Sequence, residues 1–100
     1  MQIDITGHNI EVSGALRAYF EKRARHVEKL AQPPLSHLHV VLSIVKNIYR
    51  CDIQASSGEN NFVCKSEEAD MYVAIDRAAN KITRQITGNK GRKLARRHAR

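Results

Sequence analysis

Apolar and polar residues alternate from Gln2 to Thr6, with Ile3 and Ile5 on one side, which predicts a half-buried strand. Gly7-His8-Asn9 then has turn chemistry. Ser13 is placed to cap a helix over Ala15 to Ala31, in which Leu16, Phe20, Ala24, Val27 and Ala31 fall on one stripe and Leu30 lies beside it. Pro33-Pro34 ends that helix, because a residue before proline is driven out of the α region. The period then changes from helical to alternating. His37 to Val45 directs Leu38, Val40, Leu42 and Ile44 to one face, and a short turn near Lys46-Asn47 leads to Tyr49 to Ser56, with Cys51, Ile53 and Ala55 inward. Ser57-Gly58-Glu59-Asn60 is a hairpin signal, and Asn61 to Ser66 returns with Phe62 and Cys64 inward.

The inward positions are even, odd and even across these three strands, as even-length hairpin loops require. Cys51 and Cys64 therefore share one sheet face as reduced, buried neighbours. Asp70 is placed to cap a second helix from Met71 to about Thr87, with Met71, Ile75, Ala78, Ile82 and Ile86 as its buried stripe. Gly88 and Gly91 weaken the helix beyond. The expected fold is α+β, in the order β-α-β-β-β-α, a four-stranded sheet with two helices on one face. Residues 1–88 form one domain and 89–100 a basic C-terminal tail, its mobility left open.

Composition adds less than charge. Hydrophobic residues at 42% and charged residues at 27% suit one folded soluble domain. No apolar run approaches the roughly 20 residues that span a bilayer, and the N-terminus lacks the basic and apolar regions of a secretion signal. A cytoplasmic protein without membrane partners is expected. The formal charge is +7. Six of the 17 Lys and Arg residues lie beyond Gly88, which leaves 11 basic against 10 acidic residues in the first 87.

The body nevertheless sorts its charges. At 100° per residue, Lys22, Arg25, His26 and Lys29 cluster opposite the apolar stripe of the first helix, with Glu21 and Glu28 on the flank. Arg77, Lys81 and Arg84 do the same on the second, with Asp76 to one side. A charged face opposite a buried stripe is ordinarily just solvated, but such faces tend to mix Glu with Lys. These seven positions are all basic or His, the footprint of phosphate contacts. RNA is favoured over a membrane surface, since the basic faces offer no spare Trp, Phe or Leu for an interface. Few aromatics are free to stack on bases, so shape and backbone recognition is expected.

Catalysis finds little support. Phosphate-binding Gly-rich loops, His-Glu-x-x-His helices and Gly-x-Ser-x-Gly elbows are all missing from the sequence. His37 and His39 share a strand face, but two ligands without a third do not make a metal site. Asp70 and Asp76 look like a cap and a flank residue, and His8 has no identifiable partner. No enzyme activity, cofactor or metal is expected.

The stretch Met1-Gln2-Ile3-Asp4-Ile5-Thr6-Gly7-His8-Asn9-Ile10-Glu11-Val12 resembles the start of the bacterial ribosome hibernation promoting factors. Leu16-Arg17 fits that family's first helix. Asp70-Met71-Tyr72-Val73-Ala74-Ile75-Asp76, followed by Lys81, Arg84-Gln85-Ile86 and Lys90, is the more specific match, and the resemblance runs from residue 1 to about residue 93. It implies a fold similar to a double-stranded-RNA-binding domain. It also implies a short-form hibernation factor that lodges in the mRNA/tRNA channel of the small ribosomal subunit, silences translation in stationary phase or stress and favours ribosome dimers.

Carried over by position, the rRNA-binding candidates are Lys22, Arg25, Lys29, Arg77, Lys81, Arg84, Lys90, Arg92 and Lys93. The resemblance implies a separate ribosome modulation factor as helper, a monomer away from the ribosome, and no DNA partner. The chain ends at Arg100, so the dimerisation domain of long family members is expected to be absent. Ser43 to Tyr49 departs from the more charged version common in the family. A general double-stranded-RNA-binding module is the alternative.

Overall fold

A computed structural model describes residues 1–88 with their side chains and the backbone of the last helix to Ala99. Its elements are β1 (Gln2–His8), α1 (Gly14–Leu30), β2 (Leu35–Val45), β3 (Ile48–Ser57), β4 (Asn60–Glu68) and α2 (Met71–Ala99). The strands form one sheet in the order β1-β2-β3-β4. β1 joins β2 in parallel, and the two hairpins are antiparallel. A parallel pair cannot be joined by a tight turn, so α1 is the crossover between β1 and β2.

Both helix caps form as expected. Ser13 Oγ accepts from the Leu16 amide at 3.1 Å, and Asp70 Oδ1 accepts from the Tyr72 and Val73 amides at 2.8 and 3.2 Å. The turn after β1 starts later than its composition suggests. Gly7 and His8 remain in the strand, paired with Leu42 and Ser43, and Asn9 makes the reversal at φ 62°. A Cβ on Gly7 would collide with the Ile10 carbonyl oxygen, so the chain folds back closely there. α2 also passes its expected end near Thr87, since a helical glycine such as Gly88 costs only about 1 kcal/mol.

Lys46 and Asn47 have φ 51° and 65°, the two-residue turn whose twist matches antiparallel strands. Gly58 turns the second hairpin at φ +63°, and a Cβ there would lie 2.7 Å from Pro33 Cγ. Both loops are even in length, so the predicted parity holds. Leu38, Val40, Leu42, Cys51, Ile53, Ala55 and Cys64 are all buried on one sheet face. Leu16, Phe20, Ala24 and Val27 of α1 and Met71, Ile75, Ala78, Ile82 and Ile86 of α2 close over them.

Buried polar groups are satisfied inside this core. Ser66 Oγ donates to the Ala74 carbonyl at 2.5 Å, Ser57 Oγ to the Pro33 carbonyl, and Cys64 Sγ to the Ala78 carbonyl at 3.2 Å. Both cysteines are free. Burial pushes the Cys64 thiol up to about 11 and the Cys51 thiol higher still. The opposite sheet face, with His37, His39, Asp52, Gln54 and Lys65, is left uncovered. No helix among the described residues is long and apolar enough to cross a membrane.

Candidate nucleic-acid interface

α1 buries a full apolar stripe, so the residues half a turn away must face water. Lys22, Arg25, His26 and Lys29 are all exposed. None of the four makes an ion pair among the described residues. Lys29 lies in the last turn, where the helix dipole favours a cation. Four neighbouring positive or protonatable groups are thereby held on a rigid element with their donors free.

Arg77, Lys81 and Arg84 of α2 are exposed as well, but their setting differs. Lys81 Nζ donates to the Lys65 carbonyl at 2.8 Å, and Arg77 Nε lies 3.9 Å from Glu68 Oε2. Gln85, one turn on, donates to the Val63 carbonyl at 2.8 Å. These contacts set the α2 stripe on the β4 side of its helix, away from α1. The two stripes share one layer, but they are separated by a seam.

That seam is the feature that sequence spacing misses. Tyr19 donates its hydroxyl to Asp76 at 2.7 and 2.8 Å, and its ring meets Tyr72 edge-on with centroids 5.0 Å apart. Arg23 Nη2 donates to Asn80 Oδ1 at 3.0 Å, while its Nε lies 3.4 Å from Asp76 Oδ1. Tyr72 and Asp76, both part of the sequence motif, thus clamp the two helices together. Asp76 also raises the Tyr19 pKa above the ordinary phenol value, chiefly through that hydrogen bond and then through burial and charge. Arg23 is an α1 cation that lies outside the basic stripe. Its carboxylate partner on α2 explains why it points across the seam.

Three candidates, Lys90, Arg92 and Lys93, lie outside the residues described with side chains. Asp70 is a helix cap, as predicted, and Asp76 accepts from Tyr19 instead. His8 lies at the exposed end of β1.

With this geometry in place, comparison with known proteins identifies the lineage. The family model described as Sigma 54 modulation protein / S30EA ribosomal protein matches residues 3–94. The chain belongs to this family. One relative, the ribosome hibernation promoting factor of Salmonella typhimurium, is 34% identical over 94 residues, covering 90% of this chain and 94% of its own. The factor of the same name from Escherichia coli K12 is 31% identical over 90 residues, again 90% of this chain and 94% of its own. Among solved folds, a ribosomal subunit interface protein from Coxiella burnetii superposes with TM-score 0.85 at 25% identity, over 91% of this chain and 99% of that one. The N-terminal domain of Thermus thermophilus Protein Y superposes with TM-score 0.78 at 31% identity, over 86% and 96%. The S30EA assignment and the β-α-β-β-β-α order agree with the resemblance drawn from the sequence.

Proposed function

We propose that this chain is a ribosome hibernation factor of the cytoplasm. It binds rRNA in the mRNA/tRNA channel of the small subunit through Lys22, Arg25 and Lys29 of α1 and Arg77, Lys81 and Arg84 of α2. Lys90, Arg92 and Lys93 are further candidates for the same contact. Occupying the channel silences translation in stationary phase or stress, and with a separate modulation factor it favours ribosome dimers. No catalytic step is involved.

One observation carries this reading. Among the described residues, the exposed Lys22, Arg25 and Lys29 of α1 have no ion-pair partner, in a family whose matched relatives are named hibernation promoting factors. Unpaired, co-facial cations on a rigid helix suit a fixed array of phosphates, with affinity drawn from counterion release.

Cell-free translation tests it. The purified protein should inhibit, and a variant with Lys22, Arg25, Lys81 and Arg84 all changed to Glu should not; equal inhibition by both would refute channel occupation. Binding to small subunits and to naked duplex RNA at physiological salt separates this role from that of a general double-stranded-RNA module. The hibernation reading requires clear preference for the subunit.

A further inference from the structure

The sheet face turned away from the helices carries a cluster that the hibernation role does not use. β1 and β2 pair in parallel with Asp4 opposite His39 and Gln2 opposite His37. Odd-numbered residues of β2 point to this uncovered face, so both imidazoles stand beside the Asp4 carboxylate. His37 Nε2 lies 2.7 Å from Asp4 Oδ2, and the two rings are 6.3 Å apart at 75°. One ligand atom from each of Asp4, His37 and His39 lies within 4.8 Å of the others.

We infer that Asp4, His37 and His39 form a binding site for a divalent transition-metal ion of the zinc type. Two imidazole nitrogens and one carboxylate oxygen are the donors that suit zinc, cobalt or nickel. Magnesium and calcium take oxygen ligands. Tetrahedral zinc, with bonds of about 2.0–2.2 Å, sets its ligand atoms roughly 3.5 Å apart. The 2.7 Å between Asp4 and His37 lies below that value, and all three ligand atoms lie within 4.8 Å of one another, so small rotations of side chains that are not fully buried would set the geometry. Three protein ligands leave the fourth position to water.

Local charge permits a cation here. The basic stripes lie on the other side of the sheet, and on this face Arg50 is already held by Asp52 at 2.9 and 3.2 Å. The sequence alone offered two ligands and no site. The third comes from a strand 33 residues away, brought in by the parallel register. Bound metal would pin β1, an edge strand near the N-terminus, to the central β2 and stabilise the fold by mass action.

The test uses the full chain, stripped of metal and titrated with zinc chloride. One equivalent should bind at micromolar zinc, raise the melting temperature and shift the His37 and His39 imidazole resonances. Cobalt(II) should give the absorption of a tetrahedral site. His37→Gln and His39→Gln should each weaken binding at least about tenfold, as should Asp4→Asn. His8→Gln and His26→Gln should change nothing. Circular dichroism checks that each variant is folded, and the imidazole shifts in the unmodified chain report the site independently of any variant. Absence of one-equivalent binding at micromolar zinc would overturn the site. So would binding that survives removal of both imidazoles, which would assign the metal to His8, His26, His98 or the thiols. Ribosome binding is not read in this experiment, so either idea can fail alone.

Discussion

The outward faces of α1 and α2 look alike in sequence but not in structure. Each carries basic residues opposite a buried stripe. Among the described residues, Lys22, Arg25 and Lys29 of α1 have no ion-pair partner, whereas on α2 Lys81 is bonded to the β4 backbone and Arg77 stands near Glu68. A cation without a protein partner adds little to folding and is available to a ligand. A tethered one serves the fold first, with its remaining donors available outward. Two stripes of equal charge can therefore differ in how much of their charge a ligand receives.

Reversing all three α1 charges (Lys22, Arg25 and Lys29→Glu) is the strongest challenge to that contrast. It should remove about three units from the log-log salt slope of ribosome binding, roughly one per phosphate contact. Stability should move by no more than about 0.5 kcal/mol per site, as for other free surface positions. Filter binding across a salt series and denaturant melts measure both. A large stability loss would mean that the α1 cations are not free.

The matching α2 variant, Arg77, Lys81 and Arg84→Gln, should cost binding and also fold. Loss of the Lys81 hydrogen bond and the weak Arg77 pair should lower stability by about 1–2 kcal/mol. If α2 tolerates the change as well as α1, the contrast between the helices disappears.

A change at the seam sharpens the comparison without touching either stripe. Asp76→Asn should bring the Tyr19 pKa back toward the ordinary phenol value and lower stability by about 1 kcal/mol. Ultraviolet titration of the tyrosines and a thermal melt read the two effects. Because the folded-state pKa of Tyr19 is raised, its contribution is complete below the unfolded value near 10 and is lost as pH climbs through the folded value.

The smallest effect at neutral pH concerns the layer beneath. Cys64 titrates at about 11 when folded against 9.0 ordinarily, so its contribution is intact below pH 9 and disappears as pH rises toward 11. Both thiols should resist Ellman's reagent at neutral pH until the domain opens. Fast labelling under native conditions would contradict their burial.

Strand and helix positions, both caps, the inward parity and the two buried stripes were legible because each depends on local period or on a capping side chain. The end of β1 was misjudged because Gly7-His8-Asn9 has turn chemistry throughout, while only Asn9 leaves the extended region. Nor could helical spacing reveal the seam, since Tyr19 and Asp76 are 57 residues apart and spacing fixes a face without fixing its neighbour. Asp4 escaped notice for the same reason, because its partners arrive through the register of a crossover-linked strand pair. Exposure of the six α-helical candidates followed from the pattern, but the tether on Lys81 did not.

The bonds from Lys81 and Gln85 to β4 also bear on solubility. β4 is the last strand of the sheet, and an uncovered strand edge invites pairing with the same edge of another chain. Here the Lys65 and Val63 carbonyls on that edge are already occupied by side chains from α2. A fifth strand pairing at Val63 or Lys65 would have to displace an amide or an ammonium there first. The helix that covers the core thus also guards part of the sheet's margin, at Val63 and Lys65.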